Sequence, residues 1–448
     1  MTDTLETLAA AALAAARRAG AEAADALALE ATSVSIDVRA GRLEHAERAE
    51  GVEIGLRVLI GRRQACVAAS DTRPETLAAL AERAVAMARE APEDPTCGLA
   101  DPGELARGWD LAGLDLADLA PEPAAAVLEA AARAAEAAAL GRAGISQVDS
   151  ASASFGRRRL HLAATNGFSG GYTRTDHGVA CVAITGEGTA MERDWCAESR
   201  SHRADLPDPD EIGARAADRA LARAGARKPP TGSFPVLYDE RVAGQLIGHL
   251  LAAISGTAVA RGASWLKDAM GEQVLPRGLS LIEDPTRPRI AGSRPFDGEG
   301  LPAVPRPIVE DGVLTRWLLD LATARKLGLA STGNAYRGAA APPAPGAGNV
   351  SLTQGARSRE ALVSEMGTGL LVTSMIGATI NPTTGDYSRG AAGFWVEHGE
   401  IAWPVNECTV AGNLRDMLRR IVPANDAQVH LSRVVPSLLV EGLTIAGS

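Results

Sequence analysis

Apolar residues recur every three or four positions from Leu5 to Ala19, with Leu5, Leu8 and Leu13 along one side, and that spacing predicts an amphipathic helix. The period then falls to two. Val34-Ser35-Ile36-Asp37-Val38 alternates as a half-buried strand, Gly51 to Val58 and Gln64 to Ala69 give two more, and Arg73 to Ala91 returns to helix behind a Thr72 cap. After a connector rich in Pro, Asp and Gly, from Pro92 to about Pro123, the order repeats. A helix is expected over 123–140, strands near Ile145–Phe155, Arg159–Ala164, Tyr172–Thr185 and Glu192–Ser199, and a second helix over 210–226. Such recurrence predicts a duplicated or inserted α+β unit.

Consecutive prolines in Lys228-Pro229-Pro230-Thr231-Gly232 cannot continue the preceding helix and mark the clearest boundary. Beyond it a strand, Phe234 to Tyr238, leads into a helix from about Glu240 to Ile254. Short apolar runs then alternate with Gly and Pro: Leu279–Ile282, Val304–Glu310, Val313–Leu319, Leu370–Ile376, Gly393–His398 and Glu400–Pro404. Many short strands between turn residues predict a β-rich domain with few helices. The expected fold class is α+β, divided into an N-terminal α+β domain (1–91), a connector (92–122), a middle α+β domain (123–227) and a C-terminal β-rich domain (228–448).

Composition changes the picture mainly by exclusion. At 448 residues the chain can bury several cores, built from Ala, Leu, Val and Ile because aromatics are only 3% of residues. Arg supplies nearly all the positive charge, and a formal net charge of −10 offers no basic face in bulk, which argues against nucleic acid as a ligand. Cys66, Cys97, Cys181, Cys196 and Cys408 are odd in number and widely spaced with no CxxC pair, so neither a disulfide framework nor a zinc knuckle is suggested. A reducing cytoplasm fits. The apolar run Leu8 to Ala16 has Asp3 and Glu6 before it and Arg17-Arg18 after it, the wrong signs for a signal peptide. No run approaches the roughly 18 apolar residues of a membrane helix.

Gly167-Phe168-Ser169-Gly170-Gly171 matches GxSxG, the nucleophile elbow of serine hydrolases, with Asp176 and His177 close by. That elbow needs a helix after the serine. Tyr172 to Thr185 has strand composition, so the glycines read as a hairpin turn preceded by Asn166, with catalysis by Ser169 as the alternative. His161 alternates with Leu160 and Leu162 as an outward polar residue, His45, His202 and His430 have no partners at ligand spacing, and His398 falls at an expected hairpin turn. No GxxxxGK(S/T) or GxGxxG occurs, so no phosphate cradle is indicated.

The C-terminal third carries three distinctive segments. The first is Gly333-Asn334-Ala335-Tyr336-Arg337-Gly338. In the second, Met375-Ile376-Gly377 leads into Asn381-Pro382-Thr383-Thr384-Gly385-Asp386-Tyr387-Ser388-Arg389-Gly390-Ala391-Ala392-Gly393, and the third is Trp395-Val396-Glu397-His398-Gly399-Glu400-Ile401. With Asn166-Gly167 in the middle region, their order resembles the PmbA/TldE side of the TldD/PmbA family over roughly residues 20 to 446. In that family TldD-type chains carry an HExxxH helix and a later Cys as zinc ligands. TldE-type chains lack the zinc site and form a heterodimer with TldD that cleaves unstructured peptides. Laid on this sequence, the first His falls on Asp239, the Glu on Glu240 and the second His on Gly244. The third ligand falls near Val429 or His430, where no Cys stands.

A catalytic zinc needs about three converging protein ligands. Gly244 has no side chain to offer, and His249, nine positions after Glu240, falls on the opposite helix face at about 100° per residue. Asp239 and Glu240, as neighbours, are expected to point apart. The alternative to a metal site is a solvated helix N-terminus whose acidic residues favour its dipole. The stretch Asn381–Gly393, with hydroxyls at Thr383, Thr384, Tyr387 and Ser388, reads either as a long polar turn or as a rim contacting a peptide added along a sheet edge. By resemblance alone, Asn334 and Arg337 join Asn381, Thr383, Thr384, Gly385, Asp386, Tyr387 and Ser388 in that rim.

The resemblance implies a cytoplasmic subunit with no cofactor of its own, closing a peptide chamber against a zinc-bearing TldD-type partner and binding neither nucleic acid nor membrane. The alternatives are a homodimeric peptide-binding or chaperone-like protein and, more remotely, a serine hydrolase using Ser169.

Overall fold

The computed structural model describes residues 4–447; Asp3, one of the acidic flanks of the first helix, lies outside the described residues. Helix α1 (Leu5–Ala19) starts where the Thr4 hydroxyl accepts from Thr7 N and ends at Gly20, whose φ of 99° suits a residue without Cβ. Strands β1 (Ala23–Arg39), β2 (Arg42–Ile60) and β3 (Arg63–Ala69) and helix α2 (Pro74–Glu90) follow. Arg73, not Thr72, is the N-cap, and no side chain caps this helix, which begins with a proline instead. The connector holds one helical turn, α3 (Leu111–Leu114), and the pattern then repeats in α4 (Ala125–Leu140), β4 (Ile145–Ala164), β5 (Ser169–Thr185), β6 (Glu192–Arg200) and α5 (Pro209–Ala222).

The two α+β repeats share one antiparallel sheet, ordered β3-β2-β1-β4-β5-β6, with β1 and β4 joined at its centre. Helices cover a single face. Leu8, Leu13, Leu80 and Val85 bury Ile54, Leu56 and Val58 on one half, and Leu128, Ala132 and Ile212 bury Ile36, Phe155 and Val179 on the other. Helices α4 and α5 approach so closely that a Cβ added at Gly213 would stand 1.9 Å from the Ala135 carbonyl oxygen. The opposite face meets the C-terminal part, where Leu27, Leu162 and Phe168 cluster with Phe296.

The C-terminal part contains β7 (Gly232–Tyr238), α6 (Glu240–Ala253), α7 (Gly256–Ala260), β8 (Leu281–Glu283), β9 (Arg306–Glu310), β10 (Val313–Leu314) and α8 (Leu321–Leu327). It continues with β11 (Ala335–Tyr336), β12 (Ala344–Pro345), β13 (Val350–Leu352), α9 (Arg359–Met366), β14 (Gly369–Ile380), β15 (Asp386–Glu397) and β16 (Glu400–Asn413), and ends with β17 (Val422–Pro423), β18 (Arg433–Val434) and β19 (Leu438–Ala446). Strands run β16-β15-β14-β7-β19, and β19 also pairs with β16, so the five close into a ring. Leu246 and Leu250 of α6 pack with Tyr238, Trp395 and Val440 in its core. The fold is α+β with a strand-rich C-terminal part. Among the described residues no helix is long and apolar enough to cross a membrane.

Candidate functional site

Helix α6 leaves the ring at the end of β7, so its first turn sits where a parallel strand, β14, flanks the same edge. Asp239 is the N-cap with φ −58° and ψ 151°, and it is 2% exposed. Its Oδ1 accepts from the Arg241 backbone N–H at 3.2 Å and from Arg241 Nε at 3.1 Å; its Oδ2 accepts from Arg359 Nη1 at 2.9 Å. Burial opposes ionisation of Asp239, but a hydrogen bond from Glu240 and the charges of Arg241 and Arg359 outweigh it and hold the carboxyl below the usual range. Burial, together with that same bond and the Asp239 charge, pushes Glu240 up to about 8. The Glu240 carboxyl thus lies close enough to that of Asp239 for each to bias the ionisation of the other.

Gly244 lies one turn on, and a Cβ placed there would meet nothing within 4 Å. His249 is half-buried against Tyr387, ring centroids 6.1 Å apart, and burial with the charges of Arg389 and Arg433 keeps its imidazole neutral. His430, near the expected third-ligand position, stands 3.5 Å from Glu198. The structure thus does not gather Asp239, Glu240, His249 and His430 into one coordination sphere, and among the described residues no group of three or more His, Cys, Asp or Glu could hold a metal ion.

Most of the stretch read as a polar loop is strand. Only Asn381 to Gly385 turns, and β15 begins at Asp386. Asn381 Oδ1 accepts from the backbone N–H groups of Thr383 and Thr384, Thr384 Oγ1 donates to Asp386 Oδ2 at 2.6 Å, and Gly385 packs on Trp265. Asn381, Thr383, Thr384 and Asp386 are exposed and Ser388 is half-buried, but Tyr387 is buried with its hydroxyl 3.2 Å from Met375 Sδ. Asn334 is buried too: its amide donates to Glu283 Oε2 and the Gly346 carbonyl and accepts from Thr332. Arg337 pairs with Asp25, its side chain 2% exposed. Tyr387, Asn334 and Arg337 are therefore structural ties, a correction to the expected peptide rim.

The fold and these positions can be set beside known proteins. Three family models cover the chain in order: the PmbA/TldA metallopeptidase domain 1 over residues 24–88, the central domain over 114–224 and the C-terminal domain over 231–447. Metalloprotease PmbA of Escherichia coli O157:H7 is 37% identical over 97% of this chain and 94% of its own length. The chain belongs to the PmbA/TldD family. A crystal structure of a candidate modulator of DNA gyrase from Bacteroides thetaiotaomicron superposes with a TM-score of 0.91 at 25% identity, covering 99% of both chains. TldE from Thermococcus kodakarensis shares the fold at 19% identity, with a TM-score of 0.84 and coverage of 97% of this chain and 99% of its own.

In this PmbA/TldD family member the middle-region GxSxG is a hairpin turn. Asn166 Oδ1 accepts from Phe168 N–H, Gly167 has φ 98°, and Ser169 opens β5. No helix follows, so no nucleophile elbow forms. Sequence reasoning missed that Ser169 Oγ lies 2.9 Å from His161 Nε2, a diagonal pair across β4 and β5. It also missed Arg359, which reaches Asp239 across 120 residues and leaves no local signal.

Proposed function

We propose that this chain is the non-catalytic, PmbA/TldE-like subunit of a cytoplasmic metallopeptidase complex whose zinc is carried by a TldD-type partner. The observation that carries the reading is the occupation of Asp239. Both of its oxygens accept from arginines at the position corresponding to the first zinc ligand, and binding a cation there would leave Arg241 and Arg359 uncompensated in a buried setting. Gly244 brings no donor to the second position. Burial and the neighbouring Asp239 favour the protonated form of Glu240, the form that cannot accept a proton. These donors do not fit zinc, and the hydrolytic step belongs to the partner. This chain closes the chamber and borders an unfolded peptide with the exposed turn residues Asn381, Thr383 and Thr384 and with Asp386 at the start of β15.

Metal analysis and peptidase assays test the reading directly. The purified chain is expected to carry substoichiometric zinc and to leave an unstructured peptide intact, and a TldD-type chain added to it is expected to bring hydrolysis that a chelator abolishes. Hydrolysis by this chain alone, surviving chelation, would overturn it. The contact between His161 and Ser169 favours a second reading, a serine hydrolase, since burial keeps His161 neutral. Against it, among the described residues no carboxylate hydrogen-bonds the other ring nitrogen, the role the third member of a triad fills.

A further inference from the structure

The helix-free face of the N-terminal sheet is only partly covered by the C-terminal part. Between them lie cavities of about 570 and 730 Å³ that share Ala31, Arg158 and Arg174 and together form a trough along β1. Its floor is ordered in transverse rows. Leu27 stands opposite Leu162; Leu29 opposite Leu160, itself opposite Tyr172; Ala31 opposite Arg158, itself opposite Arg174. Ser33 and Gly156, then Ser35 and Ser154, complete the series. The floor runs from apolar through basic to small and polar. Successive rows are two residues apart, about 6.7 Å, which is also the repeat at which an extended peptide presents side chains to one side. From Leu27 to Ser35 the floor spans about 26 Å, the length of about eight extended residues.

Charge selects the occupant. Like charges directly opposite on adjacent strands destabilise a sheet, and Arg158 and Arg174 are such a pair. On the other face Arg157 and Arg159 are matched by Glu122 and Glu30, whereas among the described residues no carboxylate pairs with Arg158 or Arg174. Arg174 is held by donating to the Ser293 carbonyl at 2.7 Å. Arg294 and Arg337 border the apolar end and Arg200 and Arg289 the polar end, but each is already paired, with Glu283, Asp25, Glu198 and Asp115 respectively. The acids present are largely engaged: Asp205 binds Arg289, and Asp297 accepts backbone N–H bonds from Glu299, Leu301 and Ala335, leaving Glu53 and Asp176 at the margins. In a chain of net charge −10 the unpaired Arg158 and Arg174 are a local reversal at the middle of the floor, and low-dielectric cleft walls focus it.

We propose that the trough binds an extended peptide segment, with acidic residues against Arg158 and Arg174 and apolar side chains over the row of Leu29, Leu160 and Tyr172. Binding there requires neither metal nor partner, so it stands or falls separately from the subunit assignment. Fluorescence anisotropy on the full chain tests it, with a labelled octapeptide of four leucines and four aspartates as the probe and the same peptide with lysines for aspartates as the control. Ala31 and Arg158 are exposed, so Ala31→Trp, which fills the junction, and Arg158→Glu, which reverses its charge, leave the fold intact. The acidic peptide is expected to bind, the lysine peptide not to, and each variant to weaken binding at least about tenfold. Wild-type affinity in both folded variants, equal binding of the lysine peptide, or no binding of the acidic one overturns the proposal. So does a wild-type dimer that Ala31→Trp converts to monomer, which would assign the trough to a second copy of the chain.

Discussion

Glu240 and Glu299 are buried acids whose protonated forms the fold prefers, for the same first reason, desolvation; each is pushed up to about 8, and Asp297 to about 6. An acid whose folded value exceeds its unfolded one contributes stability that is complete below the unfolded value and is lost as pH rises through the folded value. The melting temperature is therefore expected to fall between about pH 5 and 8.5 from these groups, and Glu240→Gln or Glu299→Gln should flatten that slope in calorimetric scans. A slope unchanged in both variants would show that neither holds its proton. None of this was legible in the sequence, because burial, the first cause of each shift, is set by packing between distant segments, and the neighbouring acids Asp239 and Asp297 only add to it. What was legible is the identity of the residues at the helix start, including Gly244, which the family resemblance sets at a ligand position.

At the scale of elements, two helical glycines predict opposite outcomes for one substitution. Gly244 has open space where a Cβ would go, so Gly244→Ala should raise stability by about 0.5–1 kcal/mol in denaturant melts. Gly213 abuts the Ala135 backbone, so Gly213→Ala must force α4 and α5 apart and should cost about 1–3 kcal/mol. Equal effects in the two would mean that the helix contact yields more readily than its geometry implies. Helices α1, α2, α4 and α5 were readable from periodicity because each buries one side. Strand β1 was read only over Val34 to Val38, since residues 24–28 are buried on both faces and lose the alternation that marks a strand. The run after Asn381 was misread in part for the opposite reason: Tyr387, Ser388, Gly390 and Gly393 look like loop but lie within β15, where Gly393 allows the close approach of the Leu371 carbonyl.

Across the whole molecule, Asp25 on β1 binds Arg57 on β2 and Arg337 from the C-terminal part, all three side chains nearly inaccessible. Asp25→Ala would bury two guanidinium groups without their counter-charge and is expected to cost about 3–5 kcal/mol, read as a lower denaturation midpoint. A loss under 1 kcal/mol, roughly that of an exposed pair, would show that water reaches the site. The repeat of helix, strands and helix was visible in the sequence, yet its fusion into one sheet was not, because pairing of β1 with β4 joins residues more than a hundred positions apart. The ring carries a consequence for how the protein is made. Strand β19 fills the gap between β7 and β16, so a nascent chain emerging from the ribosome has both of those edges bare until β19 itself has emerged. For about two hundred residues of synthesis the earliest strand of the ring waits for β19, an interval in which its open edge is exposed to pairing with other chains.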